Sequence, residues 1–194
     1  MKYTDARELI NDGDVLAFRG TRLFSRLIKL WTRSRVSHVG IACRMHGRLT
    51  VIEALEPGGV RVYPLSRYIS RGCEVDWYQV DQPERDVLAH GALDRRAVVA
   101  FALSKWGLRY ASPWQFLRSW GWLSRRIAEW RGLPVDTNTD RFFCSELALD
   151  ALRAGGYQGE GYDKPAAETS PADVIELPCL RRRGLLEGDT DGDL

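Results

Sequence analysis

The most constraining feature of this chain is a run of three short apolar segments joined by tight-turn signals: SHVGIAC (37–43), RLTVIEAL (48–55) and GVRVYPL (59–65), linked by RMHG and EPGG. Connections this short join only antiparallel neighbours, so the run predicts a β-meander. GDVLAF (13–18) and EVDWYQV (74–80) read as further strands on either side of it. LDRRAVVAFALSKWG (93–107) then has helical spacing, as does the segment after Cys144, whose Leu147, Ala148, Ala151 and Leu152 recur on one side before Gly155 and Gly156 stop it. In TSPADVIEL (169–177), Ser170 stands as an N-cap with Pro171 at the first helical position. A small antiparallel sheet packed against helices, with helices following strands, is the α+β class.

The chain is long enough for one domain with its own core, expected over residues 1–182, with an acidic, disordered tail at 183–194 (LLEGDTDGDL and the residues before it). The N-terminal MKYTDARELINDGD has no apolar run of the secretory kind, and no segment approaches the length of a membrane span, so the expected location is cytoplasmic, with delivery by another route left open. The four cysteines, 43, 73, 144 and 179, form no C-x-x-C pair, and none sits near histidines at zinc-finger spacing. Neither a disulfide framework nor a structural metal is expected, and no cofactor is implied.

A net charge of +2 says little by itself, but its distribution is uneven. TRLFSRLIKLWTRS (21–34) is a basic amphipathic helix pattern without an acid, and 113–131 interleaves Trp114, Trp120, Trp122 and Trp130 with arginines. One reading is a core face backed by a solvated face; the other is a lip that meets a membrane surface or an anionic substrate. No recognition-helix or RNA-module pattern accompanies the basic residues, which sets nucleic acid aside as a partner. Oligomeric state is not legible.

Chemistry is carried by DRFFCSEL (140–147). Asp140 is a candidate cap, and Cys144 stands at the first turn of the expected helix, where the positive end of the helix dipole favours a thiolate. The alternative is a small buried hydrophobe. Ser145 is read as a polar helix residue, and Glu146 as a first-turn acid complementing the dipole. A base decides between these readings. Of the three histidines, His46 lies in the RMHG turn and His90 in a polar stretch, both expected to be solvated. His38 opens a strand among small residues. A two-residue loop at His46–Gly47 pairs Met45 with Arg48, puts Gly40 opposite Glu53, and leaves His38 and Glu53 as diagonal neighbours on one face. Glu53 then orients the imidazole, or else makes a rim ion pair. A cysteine, a histidine and an orienting third group are the parts of covalent acyl transfer.

The ordered set GDVLAF, SHVGIA, VIEAL, FFCSEL and SPADV resembles the NlpC-like papain-fold hydrolases, in their circularly permuted branch, which includes the YiiX/YebB-like proteins and the lecithin:retinol acyltransferase relatives. There the histidine strand comes first and the cysteine helix last, the order found here. The resemblance spans most of residues 13–177. It implies a permuted papain-like fold, Cys144 as nucleophile, His38 as base and Glu53 as the third polar residue. WGLRYA resembles the family's G-x-x-Y segment and implies Tyr110 as a pocket residue, with Ala111 where the family often has an acid. Ser37 and Arg35, just ahead of His38, complete the substrate-binding set. The implied activity is hydrolysis of an amide, as in peptidoglycan peptides, or of an acyl ester or amide. Acyl transfer at a membrane surface and a non-catalytic binding module on the same fold are the alternatives.

Overall fold

The structure is a computed structural model, and it describes residues 1–19, 35–55, 58–110, 141–166 and 169–188. The basic 21–34 segment and the Trp-Arg 113–131 segment lie outside these residues.

The expected meander is present: β2 (His38–Met45), β3 (Arg48–Leu55) and β4 (Gly59–Pro64) pair antiparallel in sequence. His46 and Gly47 both have positive φ, 50° and 75°, the conformation of a primed two-residue turn whose twist matches that of the strands it joins. It fixes Met45 opposite Arg48, as the loop length predicted. β1 (Val15–Phe18) adds to the other side of β2, and β5 (Val75–Val80) to the far side of β1.

A sixth strand, β8 (Leu180–Leu186), pairs antiparallel with β5 and completes the order β4-β3-β2-β1-β5-β8. This corrects the expected tail, because residues 183–186 belong to the sheet. Three consecutive arginines, 181–183, hide the apolar alternation, and charged side chains are the usual protection of an edge strand. Arg182 donates from Nε (3.0 Å) and Nη2 (2.6 Å) to Asp76 of β5, and Arg183 lies over the Trp77 ring.

Helices cover both faces, which is why β1 is buried at all four positions rather than alternating. Val15, Ala17, Val39, Ile41, Ile52 and Ala54 face α4 (Arg95–Ser104), α5 (Cys144–Ala154) and α6 (Pro171–Ile175). Leu16, Phe18, Ala42, Val51 and Trp77 face α1 (Tyr3–Ala6) and α2 (Leu65–Ile69). Helix α3 (Glu84–His90) spans about two turns, and two short parallel strands, β6 (Arg109–Tyr110) and β7 (Arg141–Phe142), form a separate pair.

Local capping follows the sequence where capping residues exist. Asp94 accepts from the N–H groups of Arg96 and Ala97 at the start of α4, and Ser170 accepts from Asp173 N–H at α6 with Pro171 in its first turn. One buried polar centre ties the layers together. Asp14 accepts from Asn11 N–H, Trp77 Nε1, Val80 N–H and Arg95 Nη1, the last at 2.6 Å.

Candidate active site

Cys144 is the first residue of α5. The N-cap is Phe143 rather than Asp140, which lies outside the described residues; the helix starts closer to the thiol than the sequence suggested. Phe143 has no polar side chain, and Glu146 supplies the missing acceptor by taking the Phe143 N–H at 3.3 Å. The α5 face carrying Leu147, Ala148, Ala151 and Leu152 is buried against the sheet, so the helix start is fixed relative to β2.

His38 is the first residue of β2, and Phe18 of β1 stands opposite it. Its Nε2 is 2.7 Å from Glu53 Oε2. The other ring nitrogen, Nδ1, is not taken by Glu53, and Cys144 is close enough to act electrostatically on the imidazole. The backbone N–H groups of Val39 and Ser145 also favour the charged form of the thiol. Cys144, His38 and Glu53 therefore form one line of interacting groups, hydrogen-bonded between His38 and Glu53, and the diagonal placement of His38 and Glu53 follows the register read from the turn. Gly40 makes it possible: it stands between them on the same face, and a Cβ there would lie 3.2 Å from Glu53 Cβ and 2.4 Å from Val51 Cγ2.

Glu53 is fully buried, and both its oxygens are engaged. Oε1 accepts from Arg61 Nε at 3.0 Å and from the Tyr68 hydroxyl, while Arg61 Nη2 donates to the Tyr68 oxygen at 2.8 Å. The reading of Glu53 as a rim ion pair is corrected by this burial. Arg61 and Tyr68 were missed in the sequence. Arg61 was in principle findable, because it lies directly opposite Glu53 in the β3–β4 register set by the second hairpin. Tyr68 sits on the five-residue α2, too short to show a period.

Burial opposes charge at every member of the line, yet the charged forms win. It would depress the His38 imidazole, but the Cys144 thiolate and the Glu53 carboxylate push His38 up to about 10. Burial would raise the Cys144 thiol; the His38 imidazolium, with the Val39 and Ser145 N–H groups, brings it below the usual thiol range. Glu53 is likewise raised by burial and lowered further by His38, Tyr68 and Arg61, with a net fall. The direction at all three is a thiolate–imidazolium pair backed by a carboxylate. Two thiols behave in the opposite sense: burial pushes Cys43 up to about 11 and Cys179 up to about 12.

The remaining sequence candidates are spread around this line. Ser37 is buried, and its N–H (3.0 Å) and hydroxyl (3.4 Å) both donate to the Phe18 carbonyl, tying the entry of β2 to β1. Arg35 is exposed. Tyr110 is placed by its backbone in β6, beside Phe142 of β7. Ser145 is buried and donates to the Thr169 carbonyl, which makes it a structural hydroxyl, and His46 and His90 are both exposed. Among the described residues no helix is long and apolar enough to cross a membrane.

No family model matches the chain, and no curated protein matches it. Among solved structures it is similar to the metalloprotein YiiX from Escherichia coli O157:H7 (DUF1105), with a TM-score of 0.60 and 20% identity over 91% of this chain and 98% of that one. At that identity the likeness is one of fold: the chain has the α+β architecture of YiiX, a six-stranded antiparallel sheet with helices on its faces.

Proposed function

We propose that the chain is a cysteine hydrolase of permuted papain-like type that cleaves an amide or acyl ester through a thioester. One observation carries this reading: a thiol at the first residue of a helix interacts with an imidazole whose Nε2 is held by a buried carboxylate at 2.7 Å. That is the role geometry of a nucleophile, a base and an orienting group.

Each step follows from these groups. The Cys144 thiolate attacks the acyl carbon, forming the C–S bond as the carbonyl π electrons move to oxygen. The resulting oxyanion is met by backbone N–H groups in the first turn of α5, at the positive end of its dipole. His38, protonated through Nδ1, gives that proton to the leaving nitrogen or oxygen as the C–N or C–O bond breaks. Glu53 steadies the imidazolium through Nε2 and fixes the ring plane. His38, now neutral, takes a proton from water as its oxygen attacks the thioester; the acid departs and the thiolate–imidazolium pair is restored. An amine or hydroxyl in place of water turns the same steps into acyl transfer.

YiiX is described as a metalloprotein. Among the described residues no three His, Cys, Asp or Glu side chains group as a metal-ligand set. At the Cys144 site the imidazole Nε2 is held by Glu53, and both Glu53 oxygens accept from protonated groups. These residues do not fit a metal centre, so the steps above use none.

The test is alkylation by iodoacetamide across pH, with mass mapping of each labelled cysteine, in wild type, His38→Ala and Glu53→Gln. Fast labelling of Cys144 well below the usual thiol range, slowed in both variants, is expected. It would lead to a screen of peptides and acyl lipids with water, amine and hydroxyl acceptors. Labelling of Cys144 that is slow and indifferent to His38 would refute the enzyme and leave a binding module on this fold.

A further inference from the structure

The hydrogen-bonded line does not end at Glu53. On the side of the carboxylate away from His38, Arg61 and Tyr68 both donate to Oε1 and are joined to each other at 2.8 Å, closing a three-membered ring of contacts. Arg61 lies 4.9 Å over the Tyr63 ring, and Tyr68 packs edge-on against Tyr63 and Phe18, at 5.2 and 4.8 Å. Phe18 in turn stacks at a tilt on His38 at 5.3 Å. The hydroxyl and the guanidinium are thus clamped by packing as well as by hydrogen bonds.

Charge alternates along the row: thiolate, imidazolium, carboxylate, guanidinium. With Arg61 the row is neutral; without it a buried site holds one uncancelled negative charge, which such a site relieves by taking up a proton.

We propose that Arg61 and Tyr68 are positioning residues of this site, which hold Glu53 ionised and aimed at His38 and thereby keep Cys144 a thiolate. The inference rests on the hydrolase reading and extends it beyond the three-residue line. A purely structural role, pinning β3 to β4 and α2, would affect stability alone.

Thiolate absorbance of the full chain, titrated against pH with Cys144→Ser as the blank, separates the two. Tyr68→Phe keeps the ring and its packing and removes only the donor; Arg61→Met removes the charge; Arg61→Lys restores charge without the two-pronged hold. Wild type should show a Cys144 thiolate on the acid side of the usual thiol range. Tyr68→Phe and Arg61→Met should move its midpoint up by about one unit, so that about tenfold less thiolate is present on the acid limb. Arg61→Lys should recover most of that loss. Should Arg61→Met not fold, Tyr68→Phe still gives the answer. Tyr68→Phe and Arg61→Met that titrate with wild type would overturn the positioning role and leave the hydrolase reading intact. A wild-type Cys144 with an ordinary midpoint would overturn both.

Discussion

Gly40→Ala is the smallest change that should damage both the fold and the site. The added Cβ would lie 2.4 Å from Val51 Cγ2, 2.9 Å from the Ile52 carbonyl oxygen and 3.2 Å from Glu53 Cβ. An ordinary contact needs about 1 Å more than the first of these distances. Val51 is fully buried and the Ile52 oxygen is backbone, so neither can swing aside as a surface side chain would. β2 and β3 must separate locally, an overpacking strain of about 1–3 kcal/mol. For a chain of this length that lowers Tm by about 2–12 °C. The same displacement falls on Glu53, whose carboxylate is 2.7 Å from His38 Nε2; a shift of about 0.5 Å takes that contact to the limit of a good hydrogen bond. A thermal melt and the rate of Cys144 alkylation at pH 6 would be measured on the same preparation. Both should fall, alkylation by more than the small loss of folded protein explains. A variant that melts within a degree of wild type and labels at the same rate would refute the claim that the missing Cβ sets the β2–β3 spacing beneath the site.

Other consequences follow from the buried charges. In the native chain at neutral pH, iodoacetamide should leave Cys43 and Cys179 unlabelled while Cys144 reacts, because burial raises the first two thiols and the His38 pair lowers the third; all four should label in denaturant. Asp14→Asn keeps the shape of a side chain that accepts four hydrogen bonds, but removes the charge facing Arg95 at 2.6 Å. It should cost about 3 kcal/mol in denaturant unfolding, and an unchanged midpoint would show that the pair is dispensable. Glu146 is pushed up to about 6 by burial, with Asp150 adding to the rise against the Phe143 N–H. A carboxyl raised above its unfolded value favours folding when protonated, so its contribution is fully present below about 4.5 and is lost as pH rises through about 6. Glu146→Gln should therefore flatten the change of Tm between pH 4.5 and 6.5, as followed by calorimetry.

Much of the site was legible because a two-residue turn leaves so little freedom. Once His46 and Gly47 close the hairpin, strand parity puts His38 and Glu53 on one face with no further information. The Cys144 helix was readable from its apolar spacing, although its cap was not: Phe143 offers no polar side chain, and the acceptor comes from Glu146 one turn inside. What escaped was structure lacking a local period. β8 is an edge strand whose outward arginines erase the alternation, and α2 is shorter than two helical turns. Arg61 was hidden for another reason. Its meaning depends on the burial of Glu53, and burial is a property of the assembled layers rather than of either strand.

That dependence also explains why the site lies where it does. His38 and Glu53 share the face of the sheet that α1 and α2 cover, with Phe18, Ala42 and Val51, whereas Cys144 arrives on α5 from the opposite face. Side chains from opposite faces cannot meet through the middle of a pleated sheet. They meet here because His38 is the first residue of β2, where no earlier rung of that strand stands in the way, and because α5 begins at the same end. The N–H groups that favour the charged form of the thiol are Val39's, on the strand itself, and Ser145's, on the helix, so Cys144 sits at the seam of the two layers. Each layer then contributes what the other lacks. The α5 side brings the thiol and a helix N-terminus, while the α2 side brings the buried carboxylate with Arg61 and Tyr68 hydrogen-bonded to it. A substitution that thins either layer should therefore be felt at the sulfur, even when it lies on the far side of the sheet from it.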